Sequence, residues 1–172
     1  MNPIVVRGPI CSALSWLFIL ASLAGAGCGG GGQDAVTNAN PYDTWSVGLT
    51  IVAIPDNDNP NGLKEGDAPV ETWTFAQQGA VVVLTVASGS TYGTASGTLT
   101  TTEGGFRFLG ESSLLDSLGI HMVVTIDAVF VGPDNIEGTK RTDFYSLSGV
   151  ALGIEPQFVG FESAAFTAQR GT

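Results

Sequence analysis

From residue 42 onward, apolar and polar side chains alternate with a period of two, and turn-forming residues interrupt the pattern roughly every 8 to 12 positions. A chain patterned this way builds antiparallel sheets, because successive side chains of a strand point to opposite faces and one face is buried. Helical periodicity is nearly absent. The first strand is expected over 44–54, with Trp45, Val47, Leu49, Ile51 and Ala53 on one face. A polar loop fills 55–69. Strands follow over 70–77, 80–87 and 91–101, joined at Gln78-Gly79 and Ser88-Gly89 by tight hairpin chemistry. Phe106 and Phe108 mark a short strand, and 112–118 is expected to form one or two helical turns capped by Gly119. Residues 120–131 are the strongest strand, then Gly132-Pro133-Asp134-Asn135 turns the chain into 136–147 and a last strand at 157–169.

Eight sequential strands with mostly short connections predict an all-β domain over residues 42–172, closed as an antiparallel up-and-down barrel so that no sheet edge is left unpaired. A two-sheet sandwich is the alternative. In the barrel the first and last strands are neighbours. The domain resembles the lipocalin-like and avidin-like group of bacterial barrels through Trp45, the Trp73-Thr74-Phe75-Ala76-Gln77-Gln78-Gly79 segment, Gly93-Thr94-Ala95-Ser96-Gly97 and the closing Phe166-Thr167-Ala168-Gln169-Arg170. The resemblance implies an eight-stranded barrel closed by Arg170 stacked over the Trp45 ring.

A barrel of this size is either filled with side chains or holds one small ligand. Trp73, Phe75, Phe106, Phe108, Phe130 and Tyr145 are the aromatic candidates for lining a hydrophobic cavity, although such stripes on strands are commonly the core itself. Asp127 lies in an apolar stretch between Val123 and Val131. Its carboxylate must reach solvent, a lumen or a cation, and in the lumen it becomes a ligand contact. The loop carries Asp56, Asp58 and Asp67 at spacings reminiscent of a calcium site, but Pro60 and a late Gly62 break the pattern, and such residues also simply make turns. No metal or cofactor is expected. His121 is the sole histidine, no Gly-X-Ser-X-Gly elbow is present, and zinc would find too few ligands. An enzyme is therefore not expected.

The segment before the barrel has a different character. Arg7 precedes an apolar run over 10–24, which is shorter than the ~20 residues a membrane-spanning helix needs. Small residues then lead to Cys28. Leu23-Ala24-Gly25-Ala26-Gly27-Cys28 resembles the end of a bacterial lipoprotein signal, with Gly25 where that motif carries leucine. The resemblance implies a signal peptide over 1–27, diacylation of Cys28 and a Gly-rich tether over 28–41. An ordinary secretory signal and an uncleaved anchor are the alternatives. With Cys11 removed and Cys28 acylated, the exported domain would contain no thiol, so it meets an oxidising compartment without disulfides.

Charged residues make up only 13% of the chain, and 16 acidic against 6 basic residues give a net charge of -10. That balance removes the electrostatic case for nucleic acid. The resemblance to lipoprotein signals implies a lipoprotein of the bacterial cell envelope anchored to the bilayer by Cys28, and Gly29 rather than Asp after that cysteine implies the outer membrane. Its barrel would bind a small apolar or amphipathic ligand without chemistry. The alternative is a structural or assembly lipoprotein whose solid barrel docks an envelope protein.

Overall fold

The computed structural model describes residues 40–54, 62–88, 91–112 and 119–171. The signal peptide, Cys28, most of the tether, Asp56 and Asp58 lie outside the described residues, as do 113–118 of the expected helical turns. Eight antiparallel strands run in chain order: β1 (Thr44–Ala53), β2 (Val70–Gln78), β3 (Val81–Ser88), β4 (Thr91–Thr102), β5 (Gly105–Ser112), β6 (Ile120–Gly132), β7 (Asn135–Ser146) and β8 (Gln157–Arg170). Each pairs with the next and β8 pairs with β1, so the sheet is a closed barrel. Closure rules out the sandwich. The architecture is compatible with the lipocalin-like barrel that the motifs imply. A single 3-10 turn, Val150–Leu152, is the helical element among the described residues.

Period two sets the two faces. On β1, Trp45, Val47, Leu49 and Ile51 are buried while Ser46, Gly48, Thr50 and Val52 face out. The same phase buries Trp73 and Phe75 on β2, Leu84 on β3, Phe106 and Phe108 on β5, Ile126 on β6 and Phe166 on β8. The short strand expected around Phe106 runs on to Ser112, and Gly110 makes that possible. A Cβ at Gly110 would meet the Phe108 ring, which folds along its own strand into the core. Outward positions of β1 to β4 are Thr, Ser, Val, Ala, Gly and Gln, whereas the charged side chains Arg107, Glu111, Asp127, Glu137 and Arg141 sit on β5 to β7. Arg141 donates to Asp143 at 2.8 Å, which raises its pKa above the ordinary arginine value, and its guanidinium lies 4.1 Å from the Phe161 ring centroid.

The two ends of the barrel differ. At one end the connections are tight: Gly79-Ala80, Glu103-Gly104 and Pro133-Asp134. Gly104 adopts φ +77, the left-handed conformation that a two-residue hairpin of this kind requires. At the other end lie the longer connections, 54–69, 113–119 and 147–156. Part of the first returns along β1, where Leu49 N donates to Pro69 O and Ile51 N to Asp67 O.

Candidate functional site: a polar-floored cavity in the open half of the barrel

The tight end is filled. Trp45 donates its indole N–H to the Pro41 carbonyl at 3.2 Å, so the last residue expected in the tether is buried against the barrel. Trp45 pairs with Arg170 across the β1–β8 seam, and the guanidinium carbon lies 5.4 Å from the Trp45 ring centroid, within cation-π range. Arg170 Nε stands 3.3 Å from Asp43 and 3.6 Å from Asp134, ion-pair distances without hydrogen-bond alignment. Below this seam the aromatic rings pack edge to face, Trp73 on Phe166 at 4.9 Å and Phe75 on Phe106 at 5.5 Å and on Phe108 at 5.6 Å, while Phe106 meets Phe130 at 5.8 Å in a tilted contact. Such pairs fill space and hold their angle through ring quadrupoles.

The aromatic side chains expected to line a cavity therefore form the core instead. Trp73, Phe75, Phe106 and Phe108 are 2% exposed or less, leaving no surface for a ligand. Phe130 packs between Trp45 and Phe106, and Tyr145 packs against Phe158 at 5.6 Å. Asp127 corrects a second expectation. It belongs to the outward phase of β6, is half exposed, and lies opposite Arg107 with the charges 3.6 Å apart. Its carboxylate reaches both solvent and a cation and never enters the lumen. Asp67 acts as a turn residue: its carboxylate accepts from Lys64 N at 2.8 Å. Among the described residues no group of three or more His, Cys, Asp or Glu stands close enough to hold a metal ion. His121 faces the Glu111 carboxylate at 3.6 Å.

Above the aromatic plug, toward the long loops, the interior opens into a cavity of about 320 Å³. Its apolar walls include Leu84, Val86, Ala95, Met122 and Val124. Its polar side chains among the described residues are Glu71, Ser88, Thr94, Ser112, Lys140, Thr142 and Glu162. Lys140 projects inward from β7 and reaches Glu71 on β2, holding both carboxylate oxygens at 3.0 and 2.9 Å. Trp73 donates its indole N–H to the same carboxylate at 2.6 Å, and Lys140 Nζ lies 5.7 Å from the Trp73 ring. The Lys140–Glu71 pair thus spans the lumen where aromatic core gives way to cavity. Glu162, 4% exposed, sits on the β8 wall opposite Thr142 in the β7–β8 register.

These polar residues carry a signal that the chain's pattern contains. Ile136 and Phe144 set the inward phase of β7, and Lys140 falls on it; Trp73 and Phe75 do the same for Glu71, and Ala164 and Phe166 for Glu162. A charged residue on the buried phase of a strand marks either an internal ion pair or a binding site, because an unpaired buried charge is too costly to keep. Asp127 draws attention by its apolar neighbours, but it lies on the opposite phase. At the open end the rim is apolar as well: Leu152, Ile154, Phe158 and Val159 are all at least half exposed. Among the described residues no helix is long and apolar enough to cross a membrane. Comparison with protein-family models, with curated proteins and with solved structures gives no match, so the barrel and its cavity carry the functional reading by themselves.

Proposed function

We propose that this chain is a lipid-anchored protein of the bacterial envelope, at the outer membrane, whose barrel holds one small amphipathic ligand without transforming it. The observation that carries the ligand reading is the cavity. At about 320 Å³ it falls at the lower end of the range for small-molecule sites and has room for roughly ten non-hydrogen atoms of ligand, by comparison with the ~30 Å³ of a water molecule. Apolar walls over a polar floor suit a molecule with an apolar body and one polar end.

The anchor rests on Cys28 and the segment before it. Two acyl chains, at about 0.8 kcal/mol per buried CH₂, hold a protein on a bilayer without a spanning segment. Mass spectrometry of the native chain extracted from membranes tests both halves of the proposal. Expected are a mature mass starting at diacylated Cys28 and a co-purifying small molecule released on denaturation. In Cys28→Ser the thiol that accepts the lipid is lost, so acylation and processing at this site should stop. An unchanged acylated mass in that variant would overturn the anchor, and an empty cavity that takes up no amphiphile would overturn the ligand reading.

A further inference from the structure

We infer that the apolar rim at the open end is a lipid-contacting surface, which dips into the headgroup boundary of a zwitterionic bilayer, an inference that rests on the reading of Cys28 as lipid-anchored. Val150, Leu152, Ile154, Phe158 and Val159 are all exposed, Leu152 most of all at 84%. Five large apolar side chains within ten residues form a patch of the kind that marks a membrane or protein contact, unlike apolar residues scattered singly over a surface. Phe158 and Val159 are neighbours on β8, and a strand buries one of two successive side chains where it covers a core. Both are exposed here. The ladder matches Phe144 with Gly160 and Tyr145 with Phe158, so Val159 is left as a bulge where β8 has no packed layer on either side.

The backbone of the rim is suited to leaving water. Val150 N donates to Leu147 O at 3.1 Å, Leu152 N to Gly149 O at 2.8 Å, Gly153 N to Val150 O at 2.9 Å and Ile154 N to Gly149 O at 3.2 Å. The turn thus satisfies these amides within itself, and burying it against lipid strands none of them. Gly149 and Gly153 take φ +89 and +80, and Ile154 fills the space that a Cβ at Gly149 would need. A fixed turn therefore holds Leu152 outward, so contact costs little further ordering.

Composition and reach select the occupant. Residues 147–159 contain one charge, Glu155, and no lysine or arginine, so nothing in them draws the rim to anionic headgroups. They also lack the tryptophan, tyrosine and arginine that anchor protein interfaces, and a net charge of -10 sets one copy of the chain against another. The stretch from Cys28 to Asn40 can extend to at most about 43 Å. β8, 14 residues from Gln157 at the rim to Arg170 at the packed end, covers about 35 Å of height at ~3.3 Å per residue and a tilt of ~40°. The acyl chains and the rim can therefore share one bilayer, and the tether's effective concentration sustains a contact that is weak by itself.

The experiment reconstitutes the full chain on phosphatidylcholine vesicles with and without brominated acyl chains. Tryptophan quenching is read as the difference between each variant and the unaltered chain, whose own tryptophans cancel. Leu152→Trp puts a reporter on the rim, and Ala76→Trp puts one on the exposed outer face of β2 toward the packed end. Expected is quenching of the rim reporter roughly threefold or more above that of the outer-wall reporter, as for a side chain at the acyl boundary. Adding Phe158→Ser and Val159→Ser to the Leu152→Trp chain should at least halve its quenching while flotation with the vesicles is unchanged, because the lipid on Cys28 still holds the chain. Equal quenching of both reporters, or none at the rim, in a chain that floats overturns the lipid contact and leaves the anchor intact. Undiminished quenching after the two serine changes means that the reporter itself seeks lipid, and also overturns the contact. Flotation that is lost with the serine changes supports the contact and overturns the anchor. A chain that never floats overturns both.

Discussion

Removing the Lys140 ammonium would leave Glu71 facing the lumen with only the Trp73 N–H as partner, since the two side chains are 10% and 12% exposed and hold each other bidentately. Breaking one partner of a buried pair costs more than the pair itself contributes, because the remaining charge stays desolvated. Lys140→Ala should therefore lower stability by about 3 kcal/mol. Lys140→Met combined with Glu71→Gln should recover most of that loss. Urea unfolding of the two variants checks this, and equal losses in both would show that lost packing, not a stranded carboxylate, sets the cost. Arg170 acts at the other end. It covers Trp45 at 5.4 Å and stands between Asp43 and Asp134, so Arg170→Ala should cost about 1 kcal/mol through lost stacking and stem packing. Arg107 pairs with Asp127 on the outer wall, both more than half exposed, and Arg107→Ala should cost close to nothing.

At the scale of elements, the strand order, the inward phase and most hairpins were legible because each strand carries several large apolar residues on one phase, as Trp45 to Ile51 do on β1. The length of β5 was not. Phe106 and Phe108 declare its start, but Gly110 and Ser112 sit on the inward phase with no apolar bulk, so the pattern fades where the strand continues to the cavity. The same fading hid the site. Several cavity positions, Gly93, Ala95, Ser112 and Thr142 among them, are small or polar, and small or polar residues are what pattern reading assigns to loops or outer faces. Glycine 110 makes the point testable. Its missing Cβ is the space taken by the Phe108 ring, and Gly110→Ala should force that ring from its place at a cost of about 1 to 3 kcal/mol, the usual range for overpacking. Gly110→Ala combined with Phe108→Leu should recover part of it, as measured by thermal melting.

For the molecule as a whole, the described structure separates a packed end, with aromatic rings and an arginine seal, from an open end with a cavity and exposed apolar rim. Stability should follow that division, because local opening is cheapest where few apolar side chains hold the backbone. The seam between β1 and β8 belongs to the packed end: Trp45 pairs with Arg170 and Val47 with Ala168, with the ladder shifting register only beyond Ile51. Gly171 N adds a further bond to Thr44 O at 2.7 Å. Amides of Val47 and Ala168 should thus exchange as slowly as those of the hairpin between β5 and β6, which closes over a far shorter loop in sequence. By contrast, 150–159 at the rim is mostly exposed and should exchange orders of magnitude faster. Hydrogen exchange read residue by residue decides the matter. Fast exchange along both β1 and β8, with slow exchange retained in β5 and β6, would mean that the barrel opens at its seam in solution, and the Arg170 seal would then hold less than its geometry implies.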